Sequence, residues 1–208
     1  MGIGQLVGFA GTTVVLVGMP GPNNVYISLR SLTQGRRAGV VSALAIETGT
    51  LVYIVVTALG LATLVRASPP LFTAITVAGA LYLAFLGLKL IKARPGEQSG
   101  GIQAAPLSRV FRDGVLVNLL NPKAALFFLA FLPQFTTRGA GPDQLRTEML
   151  LLGAGAMLIG LVFDLCYAVG ADAIGRRVRS VRTTSRGRNL VVAAIYLGLS
   201  AFALIAAF

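Results

Sequence analysis

Apolar runs long enough to cross a bilayer occupy most of this 208-residue chain, and no motif in it restricts the fold as much. A helix needs about 20 apolar residues to span roughly 30 Å of hydrocarbon. Six windows meet that length, at about residues 3–29, 38–65, 70–91, 110–135, 148–171 and 189–208. Lipid offers backbone N–H and C=O groups no water to bond, so such runs become helices that satisfy their own hydrogen bonds. With 55% hydrophobic against 12% charged residues and a mean hydropathy of +0.80, too few polar side chains remain to cover a water-soluble domain. The expected fold is an all-α polytopic membrane protein, one transmembrane domain over residues 1–208. The first run has no basic segment before it and no small-residue cleavage site with a polar sequence after it. It therefore reads as a retained span rather than a signal peptide.

The net charge of +11 points to the membrane rather than to nucleic acid, because the basic residues sit in short clusters between apolar runs instead of along one face. Arg30, Arg36 and Arg37 follow the first window; Lys89, Lys92, Arg94, Arg109 and Arg112 lie between the third and fourth; Arg176, Arg177, Arg179, Arg182, Arg186 and Arg188 lie between the fifth and sixth. The opposite side carries Arg66, Arg138 and Arg146, and Lys123 falls inside a window. The positive-inside rule makes the richly basic side cytoplasmic and places both termini outside. The Arg176–Arg188 cluster is a topology signal suited to contact with anionic lipid. Residues 94–108, rich in Gly, Pro, Gln and Ser, read as a flexible cytoplasmic linker. It separates three spans in residues 1–93 from three in 109–208. An odd number per half gives the halves opposite topology, the inverted-repeat arrangement of many secondary transporters. One cysteine, Cys166, and no histidine exclude a disulfide framework and any His-based metal or general-base site; no cofactor or metal is expected.

Two windows are interrupted. Met19-Pro20-Gly21-Pro22-Asn23-Asn24 breaks the first and Asn118-Leu119-Leu120-Asn121-Pro122-Lys123 the fourth. Proline removes a backbone donor and pushes the preceding residue toward extended geometry. Asn121-Pro122 has the form of an N-cap and first helical residue, and Gly21-Pro22 can play the same part, so each break can start a new half-helix. Counting about 1.5 Å per residue from the cytoplasmic arginines places Pro22 roughly 12 Å deep, Pro122 and Glu47 roughly 15 Å, and Asp164 roughly 18 Å. Two breaks and the intramembrane charges Glu47, Lys123 and Asp164 are thus expected near the bilayer midplane. A half-helix N-terminus beside Lys123 suits a carboxylate, whereas Glu47 or Asp164 can receive an ammonium or carry a coupling proton. A small zwitterion satisfies both poles. The bland alternatives are a Lys123 salt bridge to Glu47 or Asp164 that holds the bundle together, and an Asp164 that packs by hydrogen bonding near Tyr167. The small residues Gly35, Gly39, Ala43, Gly153 and Gly160 read as close-packing faces.

The residues resemble the LysE/RhtB family of bacterial amino-acid exporters over essentially the whole length. The resemblance is carried by Pro20-Gly21-Pro22-Asn23, Thr48-Gly49, Leu59-Gly60-Leu61 and the run from Gly79 to Gly87, and most strongly by Asn118–Lys123 continuing through Phe127-Phe128 to Phe131-Leu132-Pro133-Gln134-Phe135. It implies six helices and export of small amino acids or related metabolites across the inner membrane. It further implies antiport against the proton gradient and, in many members, a homodimer. By position it supports Pro20, Gly21, Pro22, Asn23, Asn118, Asn121, Pro122 and Lys123 as substrate-pathway residues, to which the break itself adds Asn24. Asp164 resembles an acidic position common in the fifth span, whereas Glu47 stands where the family often has glutamine or a small residue, so the assignment of Glu47 and Asp164 as proton-coupling residues rests on their depth and charge. Tyr53 stands where the family frequently has histidine, so a histidine relay is not part of this chain's mechanism. Two rivals are a membrane enzyme acting on a lipid head group and a cation transporter or channel. The acids lie too deep for head groups and no nucleophile motif is present, which disfavours the first. A lysine between two acids, with no Cys/His cluster, disfavours the second.

Overall fold

Among the described residues of the computed structural model the regular elements are all helical, which is what an apolar chain must adopt when its backbone has no solvent to bond. The described residues are 1–60, 105–137 and 139–180, with positions 70, 73, 74, 77, 78, 80–82, 84, 85, 88, 194, 197, 198 and 201 besides. Half of the expected span at 70–91, most of that at 189–208 and of the linker at 94–108, and residues 61–65 of the expected span at 38–65 lie outside them. The helices are α1 (Ile3–Gly18), α2 (Pro22–Gln34), α3 (Arg36–Ala58), α4 (Leu107–Leu119), α5 (Pro122–Leu126) and α6 (Pro142–Ser180). α5 continues through a π-helical turn, Phe127–Phe131, and a 3-10 turn, Leu132–Phe135. Pro133 lacks the N–H that an α-helix would send to the Leu129 carbonyl, so the regular ladder cannot continue there.

α3 and α6 are each long and apolar enough to cross a membrane alone. Two further helix pairs among the described residues are long and apolar enough only when taken together, and each is bent at a break where the sequence predicts one. α1 and α2 meet at 51°, and α4 meets the Pro122–Phe135 segment at 52°. Met19 and Gly21 are extended, and Pro22 starts α2 at its first position. Asn121 is extended and Pro122 opens α5 in the same way, with the Lys123 amide donating to Asn121 Oδ1 at 3.0 Å. Proline at the first helical position loses nothing, since that N–H has no acceptor within the helix anyway. Element lengths depart from the apolar windows. α3 stops at Ala58, where Gly60 takes φ +78 and turns the chain out of the helix. α6 overruns 148–171 at both ends, because helix continues into polar sequence that a hydropathy window does not count.

The buried residues form two clusters. One gathers Phe9, Ile54, Phe127, Phe128, Leu132 and Leu152; the other gathers Tyr26, Ile27, Ala43, Ile46, Val117 and Ala168. Oil-like burial does not hold helices together in lipid, so close approach and internal hydrogen bonds must do so. A Cβ on Gly39 would lie 2.7 Å from Ser31 Oγ, one on Gly49 2.8 Å from Asn118 Cβ, and one on Gly153 2.8 Å from an Ile54 side-chain carbon. Gly39 and Gly153 are thus the close-packing positions their sequence context predicts. Ser31 Oγ donates to the Ala168 carbonyl and so ties α2 to α6.

Candidate functional site

Between the two clusters, at the level of the helix breaks, lies a cavity of about 490 Å3. That size falls within the range typical of small-molecule sites. Of the residues singled out in the sequence, Asn23, Asn24, Glu47, Asn118, Asn121, Pro122, Lys123 and Asp164 all line it. They come from α2, α3, α4, α5 and α6 and the break before α5. Pro20, Gly21 and Pro22 are not on the wall; they form the bend that delivers Asn23 and Asn24 to it.

The breaks are bonded to each other. Asn121 Nδ2 donates to Asn23 Oδ1 at 2.9 Å, and Lys123 Nζ donates to the Met19 carbonyl at the end of α1. Each broken helix leaves carbonyls without intrahelical partners, and each set finds side-chain donors. At α1 these are Lys123 on Met19 and Tyr167 Oη on Gly18, the latter at 3.3 Å. At α4 Tyr53 Oη donates to Leu119 at 2.8 Å. Tyr53 of α3 thus serves the break in the second half and Tyr167 of α6 the break in the first. The Tyr167 hydroxyl bonds this carbonyl, and among the described residues Lys123 makes no ion pair with Glu47 or Asp164.

Glu47 and Asp164 are both buried in the wall. Among the described residues Glu47 Oε2 has no hydrogen-bond partner, and Oε1 occupies the space above Gly160, where a Cβ would come within 2.8 Å of it. Gly160 therefore makes room for the acid as well as for helix packing. Asn118 is fully buried; its amide donates to the Ile46 carbonyl at 2.7 Å and to Thr50 Oγ1 at 3.0 Å, which fixes the side chain against α3. The pole at the breaks is polar and carries both charge signs. Toward the first cluster the wall turns apolar, with Leu16, Leu126, Phe127, Phe128 and Phe131.

The sequence reading missed part of this. Thr50 lies three residues after Glu47 on the same helical face, a spacing that marks it in retrospect. Phe127, Phe128 and Phe131 were visible only as family motif, because a run of apolar residues in an apolar span carries no signal of which face it lines. Arg30 was read as a membrane anchor, yet its guanidinium pairs with Asp113 Oδ2 at 3.2 Å and donates to Tyr26 Oη at 3.2 Å. Tyr26 Oη in turn donates to the Val110 carbonyl at 2.7 Å. Residues 83 apart in sequence offer no local pattern from which to pair them.

The LysE type translocator family matches residues 14–207. A leucine efflux protein of Klebsiella pneumoniae is 26% identical over 194 residues, covering 90% of this chain and 89% of that protein. A leucine efflux protein of Enterobacter sp. (strain 638) is 27% identical over 192 residues, covering 90% and 88%. A membrane protein of Pseudomonas aeruginosa is 32% identical over 132 residues, 61% of each chain. No solved structure matches. A family match over nearly the whole length, on a helical chain with two broken crossings, places this protein among multi-pass transporters of the inner membrane rather than among enzymes: it belongs to the LysE type translocator family.

Proposed function

We infer that the protein exports small amino acids or related metabolites from the cytoplasm in exchange for protons, by alternating access between inverted repeats in residues 1–93 and 109–208 joined by the linker at 94–108. The observation that carries this reading is the cavity in which Asn23, Lys123, Glu47 and Asp164 meet at two linked helix breaks. The names of the leucine efflux relatives supply the cargo class. Near-equal bends of 51° and 52° and the reciprocal service of Tyr53 and Tyr167 support two halves built on one plan. The bias of basic residues supports both termini outside.

In this mechanism the substrate carboxylate lies at the N-terminus of α2, near Lys123. The Asn23 and Asn24 amides there have no acceptor within the helix, and the helix dipole favours negative charge. Asp164 or Glu47 faces the substrate ammonium and takes up a proton from outside for the return. A buried carboxylate is tolerated when it is paired or protonated, so the empty transporter is driven toward proton uptake. The Arg30–Asp113–Tyr26 set closes the cytoplasmic side between α2 and α4.

The test is mass-resolved efflux from cells loaded with mixed amino acids. Lys123→Met and Asp164→Asn are each expected to lower export by about tenfold or more while the protein stays in the membrane, and a protonophore is expected to stop wild-type export. Wild-type flux in both variants refutes the site; export indifferent to the protonophore refutes proton coupling.

A further inference from the structure

The cavity wall changes character along a single helix. Ala156, Gly160 and Asp164 are successive turns of α6 on one face, so the wall passes from a methyl group through bare backbone to a carboxylate over about 12 Å. Asp164 lies at the level of the breaks. Ala156 belongs to the buried cluster of Phe127 and Phe128, with Leu16 and Phe131 packed against it. None of those five carries a polar side-chain atom. Among the described residues, an amino acid whose charged head sits at the breaks meets this aromatic end with its side chain, where a second charge finds no partner on those five residues and is strongly disfavoured.

We propose that Ala156 is the specificity-determining residue of this transporter: it sets the length of an apolar substrate side chain that enters between Phe128 and Leu16, and the site takes aliphatic amino acids while rejecting those with charged side chains. Ala156 is 3% exposed and sits on a continuous helix, so its methyl cannot swing aside. Any enlargement there subtracts directly from the space for the substrate. Gly160, one turn on, cannot do the same, because a Cβ there meets the Glu47 carboxyl first. The proposal rests on the exporter reading above and deepens it.

The experiment loads cells with equimolar alanine, valine, leucine, phenylalanine and lysine and measures efflux through wild type, Ala156→Leu and Ala156→Gly. A methylene gained or lost in an apolar pocket changes discrimination by about tenfold or more. Ala156→Leu is expected to lower the leucine-to-alanine efflux ratio by about tenfold, and Ala156→Gly to raise the phenylalanine-to-leucine ratio by a similar factor. Ala156→Gly removes atoms only and keeps the proposal testable where the leucine variant fails to fold. Efflux of leucine with unchanged ratios in the folded variants, or lysine exported by wild type as fast as leucine, overturns the inference and leaves the exporter reading standing. Absence of export of every amino acid by wild type overturns both.

Discussion

The crossing of α3 and α4 can be tested by moving one methyl group. A Cβ on Gly114 would stand 2.7 Å from Ala45 Cβ and 3.2 Å from Tyr26 Cε1. Carbon contacts settle at about 3.5–4.0 Å, so a Gly114→Ala methyl is about 1 Å too close to a partner that is fixed to a helix backbone. The helices cannot separate freely, because Asn118 Nδ2 holds the Ile46 carbonyl at 2.7 Å and Thr50 Oγ1 at 3.0 Å. Stretching either bond by 1 Å removes it. Overpacking costs about 1–3 kcal/mol and each weakened bond about 0.5–1.5, against about 1 gained in helix propensity. We expect Gly114→Ala to destabilise by about 2–3 kcal/mol. Ala45→Gly alone leaves a void where a buried methyl packed and removes a good helix former, for about 1–2 kcal/mol. Together the two changes only transfer the methyl from α3 to α4, leaving the 3.2 Å contact with Tyr26 as the residual misfit. The double variant should therefore lie within about 1 kcal/mol of wild type, a coupling of about 2 kcal/mol or more in its favour. Reversible unfolding of the purified protein in mixed micelles measures all four corners. A double variant no more stable than Gly114→Ala refutes the packing argument.

Asp113→Ala should cost about 2–3 kcal/mol in the same assay, below the figure for a fully buried pair because the Arg30 side chain keeps 16% exposure. Arg30→Met should cost less in that background than in wild type, because the pair with Asp113 is already gone while the bond to Tyr26 Oη remains to be lost. Additive losses in that cycle would show that Arg30 and Asp113 act separately. Glu148 accepts from the Thr137 amide at 2.7 Å, Thr137 Oγ1 at 2.8 Å and Gln144 Nε2 at 3.0 Å, pinning the connection between Phe135 and α6. Glu148→Ala should speed hydrogen exchange at the Thr137 amide by about tenfold or more, the loss of a charge-assisted bond; unchanged protection there would place the anchor elsewhere.

What was legible in the sequence was what backbone chemistry enforces. Pro22 and Pro122 cannot continue a helix from extended residues, and the N-cap chemistry of Asn121 needs only its neighbours, so both breaks could be read locally. Counting residues from the arginines then brought Glu47, Lys123 and Asp164 to one level, and a single cavity holds all three. What could not be read is what depends on helix rotation. In a span that is apolar on every side, periodicity does not say whether Phe128 faces the cavity or the lipid. Lys123 reads in the sequence as a partner for a substrate carboxylate or for an acid of the bundle, and only the geometry of the break gives it the Met19 carbonyl. Hydropathy also reads straight through Leu59 and Gly60 as helix, because a window average is blind to the left-handed turn at Gly60.

The two breaks differ in one respect that bears on substrate binding. At the second, Asn121 already occupies the Lys123 amide. At the first the cap is Gly21, which has no side chain, and the only local side-chain bond runs the other way, from the Gly21 amide to Asn24 Oδ1 at 3.2 Å. A good cap would stabilise α2 but would take the amides that the proposed mechanism reserves for a carboxylate. The position tolerates a side chain: its φ is −154°, and a Cβ would make ordinary contact with Lys123 Cδ at 3.4 Å. Gly21→Ser should thus leave stability within a few tenths of a kcal/mol of wild type, its hydroxyl capping Asn23 or Asn24, while Gly21→Ala, which cannot cap, should be the less stable of the two. Transport should follow the opposite order. The serine competes with the substrate for a bond worth about 1.4 kcal/mol, raising the concentration for half-maximal export by about tenfold, whereas alanine leaves the amides open. Export that is equally affected by serine and alanine would mean that steric bulk at the bend matters and that the α2 amides do not hold the substrate.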